Sequence, residues 1–289
     1  MTRRGRSPRA LTVAALTGVL VLAAGCASAP PVRMRRALDA SMERVLRTES
    51  YLRSVAGISS HPSRLTRGDG FVYISDVAPI LRYLAEVRDT ARFRALRAFT
   101  TEKMMRRGPS GFEVARRYRD GAAFEAATPY GRVWTTQAFA EGWRLLGDTV
   151  SASVLAQLAP PDKALAQHPS ELSQLSITCG DAMDVVTLDP APARAVLRRA
   201  RTLVGSAKAA EDQAALGSTA VEGEVDLLSC LTRTGLALRD PDATVRYLDR
   251  LLDRMEPLVK RSGRPDMGTA ADILLTLRRV REAGPSFSR

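Results

Sequence analysis

One local pattern, repeated four times, decides what this 289-residue chain can fold into. An apolar run at helical spacing ends in a short turn, and an aspartate followed by threonine or proline opens the next helix. The junctions are Arg88-Asp89-Thr90, Gly147-Asp148-Thr149, Leu188-Asp189-Pro190 and Arg239-Asp240-Pro241. Each aspartate suits the N-cap, where its carboxylate accepts hydrogen bonds from N–H groups that the helix leaves unpaired. Pro190 and Pro241 fit the first helical position, where a missing N–H costs nothing. The pattern predicts helices over about 75–87, 133–146, 172–187 and 223–238 before the junctions. Helices over about 90–106, 149–159, 190–204 and 241–260 follow them, the last with a kink at Pro257.

Two helices stand outside these pairs. Residues from about 33 to 54 carry Leu38, Met42, Val45, Leu46 and Leu52 on one face, and a last helix covers about 268–282. If these two pack together they close a ring. The expected fold is therefore all-α: one domain over 33–289, with about five hairpins in an (α/α) toroid or incomplete ring. An open α-solenoid is the alternative, but the caps lie 59, 41 and 51 residues apart, without the fixed period of tetratricopeptide or HEAT arrays. Gly111 to Asp120 alternates like a short β-hairpin or extended loop, and Gly70 to Ser75 is a second extended candidate.

Aligned on their caps, the preceding helices share a stripe at fourteen, eleven and seven residues before the aspartate. It holds Ser75, Ala78 and Arg82; Trp134, Gln137 and Glu141; Leu175, Thr178 and Ala182; and Asp226, Ser229 and Arg233. Polar groups on helices that are otherwise apolar need either partners or a water-filled cavity. Facing stripes that pair internally would exclude a catalytic cleft. Two carboxylates, or a tyrosine and an arginine, converging in an open cavity would support one. The same alignment sets Cys179 and Cys230 at one height, both ten residues before their caps. Equivalent positions point the same way, which favours buried thiols over a disulfide.

The first residues are of a different kind. Arg3, Arg4, Arg6 and Arg9 precede an uncharged apolar run from Leu11 to Ala24, about 14 residues where a membrane span needs roughly 20. The run ends in Leu22-Ala23-Ala24-Gly25-Cys26, which resembles the lipobox of bacterial lipoproteins. The resemblance implies a signal peptide over 1–25, a diacylglyceryl thioether on Cys26, a lipidated linker over 26–32, and a chain tethered to the membrane outside the cytoplasm. Ala27 is not the aspartate of an inner-membrane retention signal, so an outer-membrane location is expected where the organism has one. Without the four arginines of residues 1–25 the net charge falls from +12 to +8. Only Lys103, Lys163, Lys208 and Lys260 are lysines, and the arginines are spread along the chain, a bias that argues against a nucleic-acid surface. His61 and His168 each precede a proline, in extended or turn backbone, and no Cys-x-x-Cys pair is present. Neither a metal nor another cofactor is expected.

The densest polar and aromatic stretch runs from Tyr118 to Trp143. Within it, Thr128-Pro129-Tyr130-Gly131-Arg132 and Trp134-Thr135-Thr136-Gln137-Ala138, followed by Leu145-Leu146-Gly147-Asp148, resemble the loop and inner helix of (α/α)-toroid six-hairpin glycoside hydrolases and polysaccharide lyases. The resemblance implies a glycan cleft at the loop end of the inner helices. Glycoside hydrolysis uses two carboxyl groups, one protonated and one ionised, and Asp76, Glu141 and Asp226 are the candidates. Tyr130, Arg132, Trp134, Gln137 and Arg233 would bind substrate. A lyase would use Tyr130 as acid or base and Arg132 or Arg233 against a uronate carboxylate. Gln137 stands where such enzymes often carry an acid, and five hairpins fall short of six. A non-catalytic lipoprotein binding glycan or another envelope protein is therefore the leading expectation, with a hydrolase or lyase as the alternative.

Overall fold

The structure is a computed structural model and describes residues 32–127, 129–158, 219–260 and 265–286. Residues 1–25, expected to be a signal peptide, Cys26, the junction at Asp189, the hairpin expected over 172–204 and Cys179 all lie outside the described residues. In chain order the elements are α1 (Val32–Val55), α2 (Pro62–Leu65), β1 (Val72–Tyr73), α3 (Ile74–Glu86), α4 (Thr90–Lys103), β2 (Met105–Gly108), β3 (Gly111–Val114) and β4 (Arg117–Tyr118). There follow α5 (Pro129–Leu146), α6 (Thr149–Leu155), α7 (Thr219–Ala237), α8 (Pro241–Lys260) and α9 (Met267–Ser286). The described chain is mostly helical. None of its helices is long and apolar enough to cross a membrane.

The aspartate junctions form as the sequence predicts. Asp89 accepts from Arg92 N at 3.2 Å, Asp148 from Ser151 N at 3.0 Å and Asp240 from Ala243 N at 2.9 Å. The preceding helix is closed by a left-handed residue just before each cap: Arg88 (φ 57°), Gly147 (φ 64°) and Arg239 (φ 53°). Asp89 N then reaches Leu84 O at 2.9 Å and Arg88 N reaches Ala85 O at 3.1 Å, the paired bonds of a Schellman ending. The same pair recurs as Asp240 N to Gly235 O and Arg239 N to Leu236 O. One turn thus ends a helix and its next residue caps the following one, so the two helices fold back as a hairpin. Asp266 caps α9 in the same way, accepting from Thr269 N at 2.8 Å.

Burial divides the helices into two kinds. Residues Asp76–Arg82 of α3, Val225–Gly235 of α7 and Ala270–Leu277 of α9 are buried on every side, and α5 is nearly so. By contrast, α1, α4 and α8 bury one stripe each: Leu38, Val45 and Leu52; Phe93, Leu96 and Thr100; Tyr247, Leu248, Leu251 and Met255. An apolar stripe on one side marks an outer layer, and burial all round marks an inner one. The inner helices adjoin as α5 with α3, α3 with α9, and α9 with α7, while α4, α6 and α8 back onto the helices they follow in the chain. α1 packs on α8 and α9, so the first helix does cover the last. Close approach of α9 to α3 depends on Gly268: a Cβ there would lie 2.5 Å from Ser75 O and 2.7 Å from the Asp76 Cα.

Some boundaries differ from expectation. The outer helix predicted over 90–106 stops at Lys103, because Met105–Gly108 pairs antiparallel with Gly111–Val114. The remainder of the predicted 111–120 hairpin crosses to the other sheet, where Tyr118 pairs with Val72 and Arg117 with Tyr73. α8 runs on through Pro257 to Lys260. Cys230 is disulfide-bonded, against the expected free thiol, and its partner lies outside the described residues.

Replacing Asp240 with alanine is expected to cost about 1 kcal/mol in urea unfolding. Asp148→Ala should cost more. Its carboxylate also accepts from Ser151 Oγ at 2.5 Å and faces Arg97 Nη1 at 3.6 Å. Equal losses at the two sites would show that only the cap matters.

Candidate functional site

The polar stripe of the inner helices resolves into one buried network. Arg82 of α3 reaches Glu141 of α5 at 3.2 Å and Asp272 of α9 at 3.5 Å. Arg233 of α7 lies 3.0 Å from the same Asp272 carboxylate and donates to Thr276 Oγ1 at 2.5 Å. Arg279 of α9 completes the chain, 2.6 Å from Glu86 and 3.0 Å from Glu141. Three guanidiniums and three carboxylates meet here, so the cluster is neutral. Glu141 is 5% exposed, and Arg82, Arg233 and Asp272 less still. Burial pushes the Glu141 carboxyl up, but the charges of Arg82 and Arg279 outweigh it and hold its pKa at about 2. Burial pulls Arg233 down, against the attraction of Asp272. A carboxylate so held carries no proton to give at neutral pH, which removes Glu141 from a general-acid role.

The other candidate acids lie elsewhere. Asp76, in the first turn of α3, is buried and gripped by the Arg67 fork, Nε to Oδ2 at 2.8 Å and Nη2 to Oδ1 at 2.7 Å. Burial raises its pKa beyond what Arg67 takes back, and neighbouring Asp266 adds to the rise. Asp226 is buried on α7, two helical turns before Arg233 and so roughly 10 Å higher along the helix. Glu141, at the level of Arg82 and Arg233, therefore lies apart from Asp76 and Asp226, which are more than a helical turn nearer the N-terminal ends of their helices. The structure instead brings Asp76 to Asp266, which the junction pattern does not flag because Asp266 is followed by Met267 rather than by threonine or proline.

The expected substrate-binding residues are also dispersed. Trp134 belongs to the core around α3, α4 and α5, and Gln137 is buried one turn further along α5. Arg132 is half-buried on α5, Tyr130 lies in the first turn of that helix, and Arg233 is in the network. A tryptophan packed into a core offers no face to a sugar.

The open, chemically varied surface lies where β1 enters α3 and the strand segment joins α4 to α5. Phe71 sits under two guanidiniums, Arg117 at 4.4 Å and Arg119 at 4.3 Å from the ring centre. Arg67 covers Tyr73 at 4.8 Å and Arg106 covers Phe124 at 3.9 Å. Beside them a cavity of about 390 Å³ is lined by Ser63, Thr66, Phe99, Lys103, Tyr118 and Arg119, among others. Tyr118 sets its ring edge-on to Phe99, 5.5 Å between centres, and its hydroxyl donates to Asp120. That hydrogen bond pushes the phenol pKa up and keeps it a neutral donor. Among the described residues no group of three or more histidines, cysteines or acids gathers to hold a metal. No protein-family model, curated protein or solved structure matches this chain.

Because Glu141 titrates near 2 when folded and near 4.3 when unfolded, it stabilises above the unfolded value, and the gain disappears as pH falls from about 5 towards 2. Glu141→Gln is expected to cost about 3 kcal/mol at pH 7, because Arg82 and Arg279 each lose one of the two carboxylates they face and the buried cluster keeps an excess positive charge. It should also make the acid-side fall in melting temperature shallower. An unchanged acid limb would show that the network does not set acid stability.

Proposed function

We propose that this chain is a lipid-anchored extracytoplasmic protein whose helical domain binds polysaccharide on its loop face without cleaving it. One observation carries the non-catalytic reading: Arg82, Glu141 and Arg233, the residues that the polar stripe brings to one level, are paired in a neutral internal network. What remains open to solvent is the arginine-aromatic face with its 390 Å³ cavity, small enough to hold a sugar unit and lined on several sides. Aromatic rings and forked guanidiniums suit the apolar faces and hydroxyls of sugars.

The anchor reading rests on Cys26 and the small residues before it. The disulfide at Cys230 supports it, since such bonds persist in oxidising compartments. The ring reading is supported by the inner order α5, α3, α9, α7 and by α1 covering α9. The hairpin expected over 172–204 would fill the gap between α5 and α7 and close five hairpins into an (α/α) toroid.

A second reading, a hydrolase, is favoured by one observation: the raised carboxyl of Asp76 beside Asp266 is the type of pair that splits into acid and base.

The full chain, purified in detergent, would be screened against neutral and uronate-containing polysaccharides and peptidoglycan. Binding is expected with no new reducing ends and no unsaturated products. Turnover that vanishes in Asp76→Asn would replace the binding reading with the hydrolase. Cys26→Ala is expected to shift the protein from the membrane fraction to the soluble one, and an unchanged distribution would remove the lipid anchor.

A further inference from the structure

We infer that the 390 Å³ cavity takes an acidic sugar residue, its carboxylate held between Lys103 and Arg119; this rests on the polysaccharide-binding reading and names the class of sugar. The argument starts from how charge is distributed around the cavity. Most cations nearby face a carboxylate: Arg67 faces Asp76, Arg106 faces Glu113, and Arg116 and Arg117 share Glu125. Lys103 and Arg119, both lining the cavity, pair with no carboxylate among the described residues. One carboxylate, Asp120, lines the cavity with them and accepts a hydrogen bond from the Tyr118 phenol, and Asp69 accepts one from that of Tyr73. The phenol leaves the Asp120 charge in place, so the lining sets two cations, Lys103 and Arg119, against one carboxylate and keeps a single net positive charge beside the aromatic rings. An anion with hydroxyls and an apolar ring face matches each part. Lys103 and Arg119 take the carboxylate through charge-assisted hydrogen bonds, Ser63, Thr66 and Asp120 take hydroxyls, and Tyr118 and Phe99 border the ring.

Several features give the cavity a fixed shape. Gly70, with φ 79°, closes the turn beside Arg119, whose Cδ would meet a Cβ there at 3.7 Å. Arg119 is braced on Phe71 rather than on a carboxylate, which holds the guanidinium in place without spending its hydrogen-bond donors. Lys103 ends α4, and Thr66 is tied back to Pro62 O at 3.2 Å.

The test is titration of the detergent-purified full chain with an oligogalacturonate and with the same oligosaccharide after its carboxyl groups are reduced to alcohols. The acidic form is expected to bind at least tenfold tighter. Lys103→Gln and Arg119→Gln should each lose about five- to tenfold of that difference, with the reduced form unaffected. Both positions are exposed, and circular dichroism would confirm that the variants are folded. Equal affinity for the two forms, indifference to both substitutions, or displacement by acetate as readily as by galacturonate overturns the acidic-sugar assignment while leaving polysaccharide binding standing. If no polysaccharide of either type binds, the parent reading falls with it.

Discussion

Everything in this fold is arranged around six charges that cannot be solvated. Arg82, Glu86, Glu141, Arg233, Asp272 and Arg279 come from four helices, and each finds its countercharge only when all four sit at one depth and rotation. The attraction among buried ions is largely offset by the water they lose, so such a cluster contributes modestly to net stability. Its effect lies in what it forbids. Sliding one inner helix by a single turn would leave a guanidinium or carboxylate alone in the core, at a cost comparable with a large part of a domain's total stability. Apolar packing alone tolerates such slips far better.

How much of this was legible in the sequence follows from the range of each interaction. The aspartate caps are satisfied within three residues, so a junction such as Arg239-Asp240-Pro241 announces itself. The polar stripe was also visible, because helical period alone brings Arg82, Glu141 and Arg233 to one level. Their counterpart Asp272 was not, since it lies on a helix without the Asp-Thr or Asp-Pro signature used for alignment. β2 was read as helix because Met105 and Arg106 continue a helical pattern, and what ends it is pairing with Glu113 and Val114 across a turn. The candidate site suffered from the same limit. Trp134 and Glu141 are the residue types a glycan site uses, but burial depends on neighbours from α3 and α9 that no local pattern reveals.

The strand segment between α4 and α5 has a different economy of charge. The core pairs its arginines with carboxylates, whereas this surface also lays several of them on rings: Arg117 and Arg119 on Phe71, Arg67 on Tyr73 and Arg106 on Phe124. A stacked guanidinium keeps its edge free for hydrogen bonding, while its face is desolvated. The same residue type therefore closes the interior and equips the exterior. An arginine-rich composition says nothing by itself about which role a given arginine has.

The position of α9 in the chain has a consequence for the order in which the molecule is made. This helix carries Asp272 and Arg279, touches α3 through Gly268, and supplies Ile273, Leu274 and Leu277 to the core shared with α1, α7 and α8. It is also synthesised after every helix it joins. Until residues 267–286 leave the ribosome, Arg82 and Arg233 lack their shared carboxylate, and α3 has an apolar flank with nothing to bury it. The core from Leu65 to Val154 can close around α3, α4 and α5 beforehand, but the interior shared by α1, α7 and α8 has apolar faces without cover until α9 is made, a state in which chains are prone to aggregate.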